Sequence, residues 1–190
     1  MAFPTPAPTP SPPPPGAPLT CLAPIVSPAT VVLILGSFPG VRSLAQQQYY
    51  AHPQNHFWKI LQAIWPAQPL PGTSAYPDRC RWLLDRGLGL WDVYAACERE
   101  GSLDSAIRSA VVNDFATLRL PQLAAVAHNG AESFRHSRRV AAAFGGVAGA
   151  TATAPIGFHL LPSTSPANAS WRFERKLDAW RHVMTQHGLA

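Results

Sequence analysis

Cysteine is scarce in this sequence, and acidic residues are outnumbered by basic ones. Cys21, Cys80 and Cys97 are the only thiols. They are widely spaced with no CxxC pair, which excludes a disulfide scaffold, an all-cysteine zinc site and an all-cysteine iron–sulfur cluster. Long apolar runs are missing too. The longest, such as Val31–Leu35, fall far short of the roughly 20 residues of a membrane span, so no transmembrane helix is expected. No basic segment followed by an apolar one opens the chain, so no export signal is expected, and free thiols then point to the cytosol. There is no GxGxxG and no GKS/T, which disfavours dinucleotide and Walker-type phosphate loops. His52 and His56 stand four apart, but Pro53 intervenes and no HExxH surrounds them. Neither a metal nor a cofactor is expected.

What is present fits one domain: 190 residues, 47% hydrophobic and 13% charged. The net charge of +5 permits nucleic-acid binding by phosphate neutralisation without demonstrating it. Basic residues cluster at Arg135, His136, Arg138 and Arg139 and again at Arg172, Arg175, Lys176 and Arg181; on helices such groups are more often a solvated face than a binding site. Met1 to Pro24 holds ten of the 21 prolines, and the first charged side chain is Arg42. Residues 1–25 are therefore expected to be a solvated, disordered tail, in which Pro12–Pro15 could dock on an aromatic groove. The folded domain is expected over 26–190.

Four short apolar runs read as buried parallel strands: Val31–Leu35, Leu88–Val93, Leu123–His128 and Gly157–Leu161. Helical stretches lie between them at Asn55–Trp65, Ser74–Arg86, Ser102–Ala110 and Gly130–Phe144. The last helix sets Phe173, Leu177, Trp180 and Met184 on one face. Ser102 is a candidate helix cap. The alternation predicts an α/β fold, a three-layer α/β/α sandwich with a central, mainly parallel four-stranded sheet. Ligands in such sheets bind beyond the carboxyl ends of the strands. That directs attention to Gly36–Arg42, Asp92–Arg99, Asn129–Gly130 and Pro162–Ser170.

Gly36-Ser37-Phe38-Pro39-Gly40 makes a tight turn whose amides could meet an anion or a carbonyl, or simply join a strand to a helix. Gln48 to Trp58 interleaves aromatics with amides and histidines, which suits stacking a planar ring and bonding its edge. Within it, Phe57 and Trp58 read as core, and Asn55 as either a helix cap or a ligand-facing amide. Leu161 to Ser170 sets small hydroxyl residues between prolines, a stiff loop able to contact phosphates. Ser163 or Ser165 as a nucleophile is disfavoured, because no G-x-S-x-G elbow surrounds them.

These pieces, in this order, resemble the uracil-DNA glycosylase superfamily. Gly36–Gly40 looks like its first motif, Tyr50–Trp58 is similar to the segment of the mismatch-specific branch, and Leu161–Pro166 looks like the second motif loop. Gly89–Val93 and Gly101–Ile107 are most similar to the hypoxanthine-DNA (deoxyinosine) glycosylase branch. The resemblance runs from about Val31 to the C-terminus. It implies a monofunctional enzyme that flips a deaminated base from DNA and hydrolyses its N-glycosidic bond, acting on hypoxanthine and also uracil.

By the same resemblance, Gly36, Ser37 and Phe38 belong to the base pocket. Tyr50 stacks on the base and Asn129 reads its Watson–Crick edge. Ser43, Ser163, Ser165 and Asn168 contact the DNA backbone. Many relatives place an Asp or Asn where this chain has Phe38. Asn55 is then the first choice for positioning water and Asp92 the second, with a structural hydrogen bond as the other reading of Asp92. The last loop offers only Pro166, Ala167 and Asn168 as a wedge into the base stack. No lysine occupies the motif positions, so no lyase step is expected. The expected partner is DNA and the expected state a monomer, with no membrane association. The competing readings are an inactive DNA- or nucleotide-binding module and a hydrolase of free nucleosides.

Overall fold

The structure, a computed structural model, describes residues 18–145 and 155–190. The central sheet holds β2 (Val32–Gly36), β3 (Leu88–Asp92), β6 (Ala125–Asn129) and β7 (Gly157–Leu161), in the order β3-β2-β6-β7 and parallel throughout. All four expected strands are there, shifted by at most two residues at either end. β2 lies between two partners and is buried along its whole length. That is why its sequence is a continuous apolar run rather than an alternation.

Alternate residues of β2 serve two cores. Val32 and Ile34 pack with α2 (Phe57–Ile64), α3 (Tyr76–Leu84) and α6 (Phe173–Gln186), where Phe57, Leu83 and Trp180 are sealed from solvent. Leu33 and Leu35 face the other way, toward Val140 and Phe144 of α5 (Ser137–Gly145) and toward Phe115. Each such side chain contributes about 1.5–3 kcal/mol by leaving water. Helices on both faces of a parallel sheet give the expected sandwich.

Three expectations need correction. The stretch 102–110 is no helix. It is a single 3₁₀ turn, Asp104–Ala106, followed by β5 (Arg108–Val112), which pairs antiparallel with β4 (Tyr94–Glu98). The β-branched Val111 and Val112 fit a pleated ladder better than a helix. The stretch 130–144 is broken into α4 (Ala131–Phe134) and α5. Its first piece closes with a tight bond from the His136 N–H to the Ser133 carbonyl.

The third correction is the boundary at 25/26. Leu19–Thr20 forms β1, the third strand of the small sheet β1-β4-β5, and Ile25 exchanges two backbone hydrogen bonds of 2.8 Å with Leu90. Leu22 is buried. Proline density made this segment read as tail, yet the residues between Pro18 and Pro24 carry strand-forming side chains. The expectation for residues 1–17 lies outside the described residues. A short helix that the sequence reading did not name, α1 (Val41–Gln46), follows the first loop.

Candidate functional site

A cavity of about 590 Å³ sits at the carboxyl ends of the four parallel strands, within the size range of small-molecule sites. Gly36, Ser37, Phe38, Ser43, Tyr50, Asn55, Asp92, Asn129, Ser163, Ser165 and Asn168 all line it. Segments separated by up to 132 residues in sequence meet here, Gly36 with Asn168, because parallel strands bring all their C-terminal loops to one edge.

The floor is set by strand register. Gly36 pairs directly with Asp92, and a Cβ at Gly36 would lie 2.6 Å from Asp92 Oδ1 and 3.3 Å from the Tyr50 hydroxyl. Only glycine leaves that space. Asp92 is 3% exposed. Burial pushes its carboxyl up to about 8, Tyr49 and Arg99 oppose the rise, and Asp104 adds to it. Its Oδ2 has no hydrogen-bond partner among the described residues. At neutral pH the group is therefore chiefly a neutral acid that carries a proton, and a poor base.

Tyr49 and Tyr50 divide the work of the next segment. Tyr49 is the buried anchor: its N–H donates to the Tyr76 hydroxyl at 2.8 Å, and its carbonyl accepts from the Trp58 indole at 3.0 Å. With Tyr49 clamped, Tyr50 adopts φ 53°, a left-handed conformation uncommon for a bulky residue. Its ring lies on Phe57, centroids 4.0 Å apart and 21° from parallel. Ser43 is buried, and its hydroxyl accepts the Ala51 N–H at 3.3 Å, which braces this segment.

Asn129 is largely committed within the protein. Its Nδ2 donates to the Tyr50 hydroxyl and to Thr164 Oγ1, both at 2.9 Å, while its Oδ1 accepts the Thr164 N–H at 2.9 Å. Of four hydrogen-bonding positions, one lone pair on Oδ1 is left for a ligand. Asn55 resolves differently. Its Oδ1 accepts the Phe57 N–H at 2.9 Å at the start of α2, whereas its Nδ2 has no partner among the described residues. The oxygen caps and the amide N–H groups remain available, so the two readings of Asn55 coexist.

The loop after β7 is folded on its own hydroxyls. Ser163 Oγ accepts the Ser165 N–H and Ser165 Oγ accepts the Ala167 N–H, each at 3.2 Å, leaving both hydroxyl protons free to donate. Asn168 closes the loop through Nδ2 to the Ser163 carbonyl at 3.0 Å. Across the cavity, the 36–40 turn is held by Ser37 Oγ donating to Asp104 Oδ1 at 2.6 Å and by Arg99, which reaches the Pro39 carbonyl over the Phe38 ring. Phe38 is buried in the second core, and the N–H groups of Ser37 and Phe38 have no acceptor among the described residues. Among those residues no group of three or more His, Cys, Asp or Glu could hold a metal ion, and no helix is long and apolar enough to cross a membrane.

The profile of the uracil DNA glycosylase superfamily matches residues 23–185. The chain belongs to that superfamily. Two relatives named hypoxanthine DNA glycosylase are similar to it. The one from Methanosarcina barkeri is 39% identical over 112 residues, 58% of this chain and 70% of that protein. The one from Methanosarcina acetivorans is 41% identical over 104 residues, 53% of this chain and 64% of that protein. A solution NMR structure from M. acetivorans, described as a candidate uracil DNA glycosylase, superposes with a TM-score of 0.73 at 29% identity, covering 90% of this chain and 99% of that one.

Two residues that brace the site lie outside those the sequence singles out. Thr164 locks Asn129 with two hydrogen bonds, and Asp104 locks Ser37. Ser102 does cap a helix, but a distant one: its Oγ accepts the Val41 N–H at the start of α1, 61 residues away. Thr164 stands between Ser163 and Ser165, and Asp104 lies within Gly101–Ile107. The signal was therefore present for the segments and absent for the pairings.

Proposed function

We propose that this chain is a monofunctional glycosylase that flips a deaminated base out of DNA, hypoxanthine foremost and also uracil, and hydrolyses its N-glycosidic bond. The observation that carries the substrate class is the donor character of the cavity wall. The N–H groups of Ser37 and Phe38 and a protonated Asp92 all offer hydrogens. Deamination replaces an exocyclic amino donor with a carbonyl acceptor, as when adenine becomes hypoxanthine or cytosine becomes uracil. Donors favour the carbonyl and disfavour the amino group. The two relatives named hypoxanthine DNA glycosylase support the same choice.

In this reading the base stacks on Tyr50, and the remaining Asn129 lone pair accepts its ring N–H. Asn55 holds water beside the anomeric carbon. An amide does not take the proton early, so bond cleavage runs ahead of attack and an oxocarbenium-like sugar forms. The donors that read the base also stabilise the negative charge of the leaving group, because they face the atoms on which it develops. Ser163 and Ser165 give their free hydroxyl protons to backbone phosphates, with Asn168 shaping the loop. We also propose a monomer, and we place it in the cytosol on its three free thiols.

Single-turnover excision on duplexes carrying deoxyinosine or deoxyuridine, followed by alkali cleavage, tests the reading. Strand breaks with deoxyinosine are expected, and Asn55→Ala should lower that rate by about 10²-fold while duplex binding persists. Binding without breaks at either lesion would mean an inactive module. An unchanged rate in Asn55→Ala would remove that residue from the mechanism.

A further inference from the structure

Lys176 is the one lysine buried among the described residues, at 1% exposure, and the reaction just described does not use it. It stands in the first turn of α6. Its Nζ donates to the Asn168 carbonyl at 2.9 Å. The ion pairs among the described residues are Arg81–Asp78, Arg135–Glu132 and Arg181–Asp178, so no carboxylate lies within bridging distance of this ammonium. Three N–H donors and a full charge are thus held out of water by one neutral acceptor. An unpaired buried charge is costly and persists where something else compensates for it.

The place of the charge says what that is. The carbonyl it holds belongs to Asn168, which closes the same loop whose Ser163 and Ser165 hydroxyls have protons to give. The loop is held from the cavity side by Asn129 and by the His56 N–H donating to the Thr164 carbonyl at 3.0 Å. It therefore cannot easily be dragged off the ammonium. The loop presents hydroxyl donors on its cavity side and carries an uncompensated cation at its far end, and no acid among the described residues bridges to it. That is the arrangement expected around a bound anion.

Resting on the glycosylase reading, we propose that Lys176 is the positioning charge of the DNA-gripping loop. Its ammonium fixes the loop through Asn168 and, from behind the loop, supplies the positive charge that favours a backbone phosphate seated against Ser163 and Ser165. The free protein carries the cost of the buried charge, and bound DNA lowers it.

The test compares the wild-type chain with Lys176→Met and Lys176→Arg on a deoxyinosine duplex. For Lys176→Met, duplex Kd should rise about tenfold at moderate salt, and the slope of log K against log salt should become shallower by about one. Its Tm should hold or rise, because an apolar side chain of similar volume relieves the buried charge. Lys176→Arg should keep the wild-type salt slope. A single methylphosphonate next to the lesion, walked along the strand, should weaken the wild-type chain most at one position and weaken Lys176→Met distinctly less there. A Lys176→Met protein with a lowered Tm and an unchanged salt slope would overturn the proposal, leaving Lys176 a mere tether. Wild-type protein with neither duplex binding nor excision would instead refute the glycosylase reading on which the proposal rests.

Discussion

Replacing Gly36 by alanine is the sharpest probe of the cavity floor. The added methyl carbon would lie 2.6 Å from Asp92 Oδ1 and 3.3 Å from the Tyr50 hydroxyl. The first separation is well inside van der Waals contact, so something must move. Asp92 is a short side chain at 3% exposure on the neighbouring strand, and Tyr50 is pinned between Phe57 and the Asn129 amide. Both are held by their neighbours, so part of the overlap becomes strain. Overpacking of this kind costs about 1–3 kcal/mol. At about 2–4 °C per kcal/mol for a chain of this size, Gly36→Ala should lower Tm by roughly 5 °C. It should also depress base excision, since the methyl tilts the ring on which the base stacks. Thermal unfolding of Gly36→Ala, Asp92→Ala and the double variant would close a thermodynamic cycle. With the carboxylate gone, most of the alanine penalty should vanish, a coupling of about 1 kcal/mol or more. Strictly additive effects would refute the assigned contact and with it the geometry of the floor.

Two further outcomes follow from the same site. Asp92 has an ordinary value of 3.8 when unfolded and about 8 when folded, so the native state keeps a proton that the unfolded chain releases. Its contribution is complete below pH 4 and is lost as pH climbs from about 4 to about 8, at no more than about 1.4 kcal/mol per unit. Tm measured across that range should show Asp92→Asn gaining steadily on wild type; a constant gap would contradict the burial argument. Ser102→Ala should cost about 1 kcal/mol by uncapping α1 from a distance, and a chemical-denaturation midpoint identical to wild type would show that the Val41 N–H finds water instead.

The parallel sheet was legible because full burial on both faces forces an apolar run, and glycines or prolines bound each one. The candidate residues converge on one cavity for a related reason: once four parallel strands are assigned, the places where their loops gather are fixed. The second, antiparallel sheet was not legible. A single residue separates β3 from β4, which begins at Tyr94, and its partner β1 is two residues set among prolines, so neither shows a period of its own. The edge-reading role given to Asn129 rested on an amide having donors and an acceptor. Nothing in the sequence tells that Tyr50 and Thr164, 79 residues upstream and 35 downstream, take three of its four bonds. Lys176 was grouped with surface cations because helical spacing alone does not reveal a loop folded over one side.

The Asn129 amide has one more consequence. A single planar group carries the hydroxyl of the stacking ring on one side and the backbone of the 162–170 loop on the other. The two halves of the cavity therefore cannot be tuned independently during divergence. A change that repositions the ring for a larger or smaller base also shifts the loop, and a change in the loop alters the ring. Substitutions in the two segments should show epistasis, and new base preferences in this lineage should arise from paired changes around Tyr50 and Thr164 rather than from either alone.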